Sequence, residues 1–231
     1  MYFKLGTVEY RDDVSTYLTH LTSENPLVNI LLKICFEISI FLNSILPFTA
    51  FSLFYIAVCT HLRLIIEKFA KILKKRDTCI DFNLSNFYSA LKTTAEYIDD
   101  QLSFLVFITV AYNGCFMYLS VSAILHAEPT AKFIDRLYLF WHLINSLFLF
   151  ICMTATASFV YEASMEVLAV ASRISAVAEE SSFLLQKFIS FAEKGISLTV
   201  WKASPISRNF IFGILGAIFT YAVLFDNLSI K

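Results

Sequence analysis

Trp201-Lys-Ala-Ser-Pro205-Ile-Ser-Arg208-Asn-Phe210-Ile-Phe-Gly213-Ile-Leu-Gly216-Ala-Ile-Phe-Thr220-Tyr221-Ala-Val-Leu224-Phe-Asp226-Asn227-Leu228 stands near the end of the chain and decides which solvent the protein is built for. Its second part, residues 210–228, is uncharged up to Asp226. A hydrocarbon core of about 30 Å takes roughly 20 helical residues to cross. The run is of that length, opens just after Pro205 and ends on a polar pair. It reads as a transmembrane helix fed by a polar linker.

The rest of the composition agrees. Hydrophobic residues make up 58% of the 231, with 24 phenylalanines, and the mean hydropathy is +0.67. Soluble domains carry an apolar share of about 45–50%. The expected fold class is therefore all-α: a polytopic membrane helical bundle with four transmembrane helices and long cytosolic helical extensions. A net charge of −1 and no Arg-rich patch give no nucleic-acid footprint. Cys35, Cys59, Cys79, Cys115 and Cys152 lie in or beside apolar runs without CxxC spacing, so they read as small buried hydrophobes. The chain holds no HExxH, no GxSxG and no phosphate-cradling glycine loop. No enzyme, metal or cofactor is implied.

Residues 1–26 mix Lys4, Glu9, Arg11, Asp12 and Asp13 with isolated apolar positions, unlike a cleavable signal, and are expected outside the cell. Span A covers residues 27–60, longer than a bilayer needs, and should tilt or kink at Pro47. Residues 61–101 form a helical connection. Leu62, Ile65, Ile66, Phe69, Ile72 and Leu73 recur at helical spacing, as do Leu84, Phe87, Tyr88, Leu91, Ala95 and Ile98. Span B follows at 102–125, then a short turn at 126–136 and span C at 137–160. Residues 161–209 read as two further cytosolic helices, broken at Glu179–Ser182 and Gly195, and span D takes 210–228.

Lysine and arginine crowd the two long connections. Arg63, Lys68, Lys71, Lys74, Lys75, Arg76 and Lys92 lie in the first, and Arg173, Lys187, Lys194, Lys202 and Arg208 in the second. The short turn offers Lys132 and Arg136. The positive-inside rule puts both long connections in the cytosol and both chain ends outside a plasma-membrane protein.

Two sets of residues are candidates for function. In the outer halves of the first three spans lie Asn43 and Ser44 on A, Tyr118 and Ser122 on B, and Tyr138, His142 and Asn145 on C. Polar groups in a lipid-embedded bundle often mark ligand or ion paths, and these would line a pocket for a small ligand; the alternative is interhelical hydrogen bonding. On span D, Gly213, Gly216, Thr220, Leu224 and Asn227 share one stripe, with Ile211, Ile214, Ile218 and Phe225 on another. The small stripe either packs tightly in its own bundle or lines a pore shared between subunits, with Asp226 and Asn227 at the mouth. Periodicity does not separate the two.

Residues 197–210, with Trp201, Pro205 and Arg208, followed by Gly216 to Leu228, resemble the C-terminal signature of the arthropod gustatory receptor family: Thr-Tyr, five mostly apolar residues, then Gln-Phe. Thr220 and Tyr221 match and residues 222–225 fit the apolar slots. Asp226 departs from them, while Asn227 and Leu228 stand where Gln and Phe are usual. The resemblance implies a seven-span, ligand-gated cation channel assembled as a homo- or hetero-tetramer in the lipid bilayer, its last span lining the pore. Spans A to D would then be the last four, the chain a fragment lacking the first three. Leu224 and Leu228 would be gate positions with Asn227 beside them, and Asp226 an added carboxylate at the mouth that favours cations. The competing reading is a non-conducting four-helix scaffold or accessory subunit.

Overall fold

Proline lacks the N–H that an α-helix needs, and its ring crowds the carbonyl four residues back. Pro47 stands within one long apolar stretch, and the backbone answers by widening the turn just before it. The computed structural model describes residues 26–75, 82–125, 133–177 and 183–229. Helix α1, Pro26–Ile40, passes into a π-helical turn at Phe41–Ile45, after which helix α2 runs Leu46–Lys75. The expected distortion at Pro47 is thus a π turn ending two residues earlier, which relieves the crowding at the carbonyl of Asn43. Asn43 Nδ2 donates to the Ser39 carbonyl at 2.9 Å and to Ser39 Oγ at 3.2 Å, adding polar ties across that turn. The described residues up to Phe51 form one unit and those from Ser52 onward a second. The side chains of Lys33, Glu37, Ser44, Tyr138 and residues 225–229 lie outside the described set.

In the second unit three long helices carry the architecture. Helix α3 is Phe82–Leu125 and helix α4 is Phe133–Val177. Neither contains proline, and Gly114 is their lone glycine, so nothing in either sequence stops the helix between the apolar run and its extension. Span C and the first of the two helices expected after it are consequently one rod. Along α4 a stripe of buried residues, Phe150, Met153, Ala157, Val160, Ser164, Val167, Ala171 and Ile174, steps three and four apart, with Ser146, Leu149, Thr154, Ser158 and Ala163 buried beside it. On α2 the stripe is Ser52, Tyr55, Cys59, Leu62, Ile66, Phe69 and Leu73, with the same steps, and Ala70 is buried beside it. A 3.5-residue repeat is the signature of a left-handed seam, and here it runs unbroken from the apolar runs into the charged extensions. Of the periodic residues read from the sequence, Leu73 and Tyr88 are buried in the seam, while their neighbours Ile72 and Phe87 lie at its edge, 49% and 52% exposed.

Helix α5, Phe183–Glu193, packs on α4 and sends Phe188 into the extension core. The rings of Phe69, Tyr88 and Phe188 meet there at centroid distances of 5.3–6.4 Å. Gly195 ends this stretch with φ +58°, and a Cβ added there would lie 3.1 Å from Tyr161 Cε2. Both the backbone and the space demand glycine.

The linker to the last helix departs from the expected all-helical pattern. Strands β1, Thr199–Val200, and β2, Ser204–Pro205, pair antiparallel, with Thr199 opposite Pro205 and Val200 opposite Ser204. Trp201 and Lys202 between them both have left-handed φ, 50° and 54°. Ala203 N donates to the Val200 carbonyl at 3.0 Å, closing a turn of the mirror-image kind that matches strand twist. Helix α6, Arg208–Ser229, then packs against α3 and α4. Ser207 caps it: its Oγ accepts from Phe210 N at 3.4 Å and its carbonyl from Phe210 and Ile211 N at 3.1 and 3.4 Å.

Among the described residues, three helices are long and apolar enough to cross a membrane: Leu46–Lys75, Asn83–Leu125 and Leu139–Ala176. Arg208–Leu224 of α6 is apolar but shorter.

Candidate functional site

Helices α3 and α4 are joined by residues 126–132 and pack along each other, so they run antiparallel. Their register is marked by Phe116 and His142, whose rings lie 6.1 Å apart, with Tyr112 a further 5.0 Å from Phe116. His142 and Asn145 are half-buried, one turn apart on α4; Tyr118 is half-buried and Ser122 buried, one turn apart on α3. These four sequence candidates thus lie on two helices that pack on each other, with His142 at the level of Phe116 and with Tyr118 and Ser122 further along α3. Asn43 belongs to the first unit, where it bonds Ser39. The side chains of Ser44 and Tyr138 lie outside the described residues.

One residue the sequence reading passed over belongs with them. Asn113 is 3% exposed, and among the described residues its buried Nδ2 has no hydrogen-bond partner. One turn in from the Phe116–His142 level, the register sets it opposite Asn145 and Ser146. A buried amide donor left unmade is costly, about 1–3 kcal/mol, so the position is poised for an oxygen acceptor. The available signal was a lone asparagine in the uncharged run 102–125.

Helix α6 shows two unlike faces. Ile218 points to α3, where a Cβ built on Gly114 would sit 3.9 Å from its Cδ1, and Ala222 is 2% exposed. Gly213 and Gly216 face open space, with nothing within 4 Å of a built Cβ. Thr220 is exposed, as are Phe212 at 73%, Tyr221 at 57% and Leu224 at 49%. Among the described residues, Gly213 and Gly216 of the small stripe pack against no neighbour and Thr220 stays exposed. Phe225, Asp226, Asn227 and Leu228 continue the helix, their side chains outside the described residues.

Where α6 begins, side chains from separate helices converge. Asp99 of α3 accepts from Thr199 N and from Thr199 Oγ1, both at 2.7 Å. Lys202 Nζ lies 2.5 Å from Asp100, and Trp201 N donates to the Ser103 carbonyl at 3.0 Å. Arg208 grips Glu162 of α4 in a two-pronged pair at 2.7 and 2.8 Å, the geometry that best suits a guanidinium. Donating to Asp100 raises the Lys202 pKa, and donating to Glu162 raises the Arg208 pKa. Ser164 Oγ accepts from Ile196 N at 3.0 Å and donates to the Tyr161 carbonyl at 2.8 Å.

Deeper in the extensions Lys92 is buried. Its Nζ donates to the Phe191 carbonyl near the end of α5 at 3.2 Å and sits 4.4 Å over the Phe191 ring. Burial lowers its pKa, Glu96 opposes that and Lys194 reinforces it. Burial likewise pushes the Tyr88 hydroxyl up to about 12, with no hydrogen-bond partner for that hydroxyl. Among the described residues, no three of His, Cys, Asp or Glu gather as a metal site would require.

Three helices long and apolar enough to cross a membrane, with a face of small residues left open among the described residues, fit a membrane-embedded helical bundle. The trehalose receptor family model matches residues 29–229, and the chain belongs to that family of insect gustatory receptors. No curated protein matches the chain closely enough to be compared with it.

Proposed function

We propose that the chain forms the conducting end of a gustatory receptor, a ligand-gated cation channel of the plasma membrane opened by a small, hydroxyl-rich tastant. The observation that carries this reading is the open small-residue face of α6 in a chain matched by the trehalose receptor family model over residues 29–229. Glycines with nothing near them in their own subunit suit a helix that closes on copies or relatives of itself around an axis, as a tetramer would. Four spans, with α6 as the fourth, put the charged extensions in the cytosol and the α3–α4 turn outside, in line with the basic residues they hold. Leu224 and Leu228 then narrow the outer end of the pore, with Asp226 and Asn227 beside them.

The tastant binds between the outer halves of α3 and α4. Tyr118, Ser122, His142 and Asn145 supply hydroxyl, imidazole and amide groups, and Asn113 adds an unused donor at the floor. A sugar presents many hydroxyls and little apolar surface, and trehalose, which gives the family its name, is the first ligand to try. In cells expressing a complete receptor that carries these residues, each of Tyr118→Phe, His142→Ala and Asn145→Ala should raise the half-maximal sugar concentration about tenfold, the worth of one lost hydrogen bond in a dry site. Unchanged dose-response curves for all three would remove the pocket, and unchanged permeability on enlarging Gly216 would remove the pore.

A further inference from the structure

We infer that the hairpin tip, Trp201-Lys202, is a lipid anchor that seats in the headgroup zone of the leaflet facing the helical extensions and sets the depth at which α6 enters the bilayer. This rests on the reading of α3, α4 and α6 as membrane spans.

The plane of that interface can be located from charge. On α2 the first basic residue after the apolar run is Arg63, on α3 the uncharged run starts after Asp100, on α4 it stops before Glu162, and on α6 it starts after Arg208. The fold brings these edges to one level. Arg208 pairs with Glu162, Arg63 stands 4.8 Å over the ring of Phe159, three residues short of Glu162, and Lys202 pairs with Asp100. Four helices that could have ended their apolar runs at different heights end them together, as crossing one boundary requires.

Trp201 lies on the apolar side of that boundary. Its ring is 4.9 Å from Phe107 and 6.2 Å from Phe104, which are about 10 and 6 Å beyond Asp100 along α3 at 1.5 Å per residue. It is 56% exposed, and among the described residues its indole N–H meets no protein acceptor. Around it α3 shows Phe104 at 50% and Leu105 at 46% exposure, an apolar surface continuous with the ring. Lys202, the next residue, reaches the opposite way to Asp100. An aromatic body in the apolar layer, a free N–H for a headgroup or ester oxygen, and an ammonium drawn back toward water are what an interfacial segment presents. The left-handed backbone at two non-glycine residues is uncommon for any side chain and an outlier for a bulky one, and it turns these two neighbours to opposite sides.

The test is depth-resolved quenching of the full chain in lipid nanodiscs. Trp141→Phe leaves Trp201 as the sole indole of the two in the chain. Bromine placed on the acyl chains near the glycerol should remove about half of its emission, bromine near the chain ends much less, and aqueous iodide little. The companion chain carries Trp141→Phe and Trp201→Phe with Phe148→Trp, a position 63% exposed and midway along the apolar run of α4. If that indole is quenched by deep bromine while Trp201 responds to iodide alone, the anchor is refuted and the spans stand. If neither indole responds to bromine at any depth, the membrane reading falls and the anchor with it.

Discussion

The hairpin linker and the helix it feeds are neighbours in the chain held in opposite ways. From Ile196 to Arg208 the backbone is tied to α3 and α4 by Asp99, Ser103, Ser164 and Glu162, through charged or buried hydrogen bonds of 2.7–3.0 Å. From Arg208 onward α6 meets its own chain through one apolar face and leaves Gly213, Gly216 and Thr220 open. The protein fixes where the last helix starts and leaves free what its far face touches. On the proposed channel reading, a helix that packs against other subunits and moves between two states would use such a rigid root and uncommitted surface.

The sharpest way to break this contrast is at Asp99. One carboxylate holds both the amide and the hydroxyl of Thr199, and hydrogen bonds to a charged group contribute about 1.5–3 kcal/mol each. Asp99→Ala should lower stability by about 2–3 kcal/mol, read as a drop in the thermal midpoint in nanodiscs with earlier proteolysis at the hairpin. Thr199→Val in the same background should then add little. A full additional loss would show that the two residues act separately.

Next comes Gly195. Alanine there meets both a left-handed backbone and Tyr161 at 3.1 Å, and a loss of about 1–2 kcal/mol is expected. No effect would mean that the linker is softer than its hydrogen bonds suggest.

The extension core adds a pH test with two signs. Lys92 has a lowered pKa in the folded protein, so the unfolded chain binds its proton more tightly, and stability should climb as pH rises through the folded value toward 10.5. Tyr88 has a raised one, so above pH 10 the folded state keeps a proton that the unfolded state has lost, and stability should fall toward about 12. Thermal midpoints against pH should pass through a maximum in this alkaline range. In Lys92→Met the rising limb should vanish and the falling limb remain.

The smallest effect on the fold is expected at Gly216. Alanine meets nothing within this chain and gains helix propensity, about 0.5–1 kcal/mol. The midpoint of the dispersed chain should hold or rise slightly, whereas chemical crosslinking into higher oligomers should fall. A destabilised chain would place the small stripe inside its own bundle after all.

Much of this was legible in the residues. The all-helical character, the long helical extensions and the two faces of α6 follow from uncharged runs and 3.6-residue spacing, which act over one or two turns and leave a local trace. The hairpin left none. Mirror-image turns are announced by Asn-Gly or Asp-Gly, and Trp201-Lys202 carries neither, since tertiary bonds from α3 impose the turn. Asp99 and Asp100 looked like ordinary charges on a solvated extension, because their partners lie 100 and 102 residues away. The π turn was anticipated as a kink at Pro47, where proline is visible, but not as a widened turn ahead of it. Among the candidate site residues, Tyr118, Ser122, His142 and Asn145 stood out as polar letters in apolar runs. Asn113 was equally visible and gained its meaning from burial.

Helix α4 carries His142 near one end of its apolar run and Glu162 at the other, on one unbroken rod. Twenty residues of α-helix measure about 30 Å, and a tilt of about four degrees over that length sweeps about 2 Å at the far end. The helix is in effect a lever with no joint. In the channel proposed above, a ligand closing on His142 and Asn145 would need only a slight rotation to drag Arg208, and with it the first turn of α6, by a stroke comparable to the radius of an ion path.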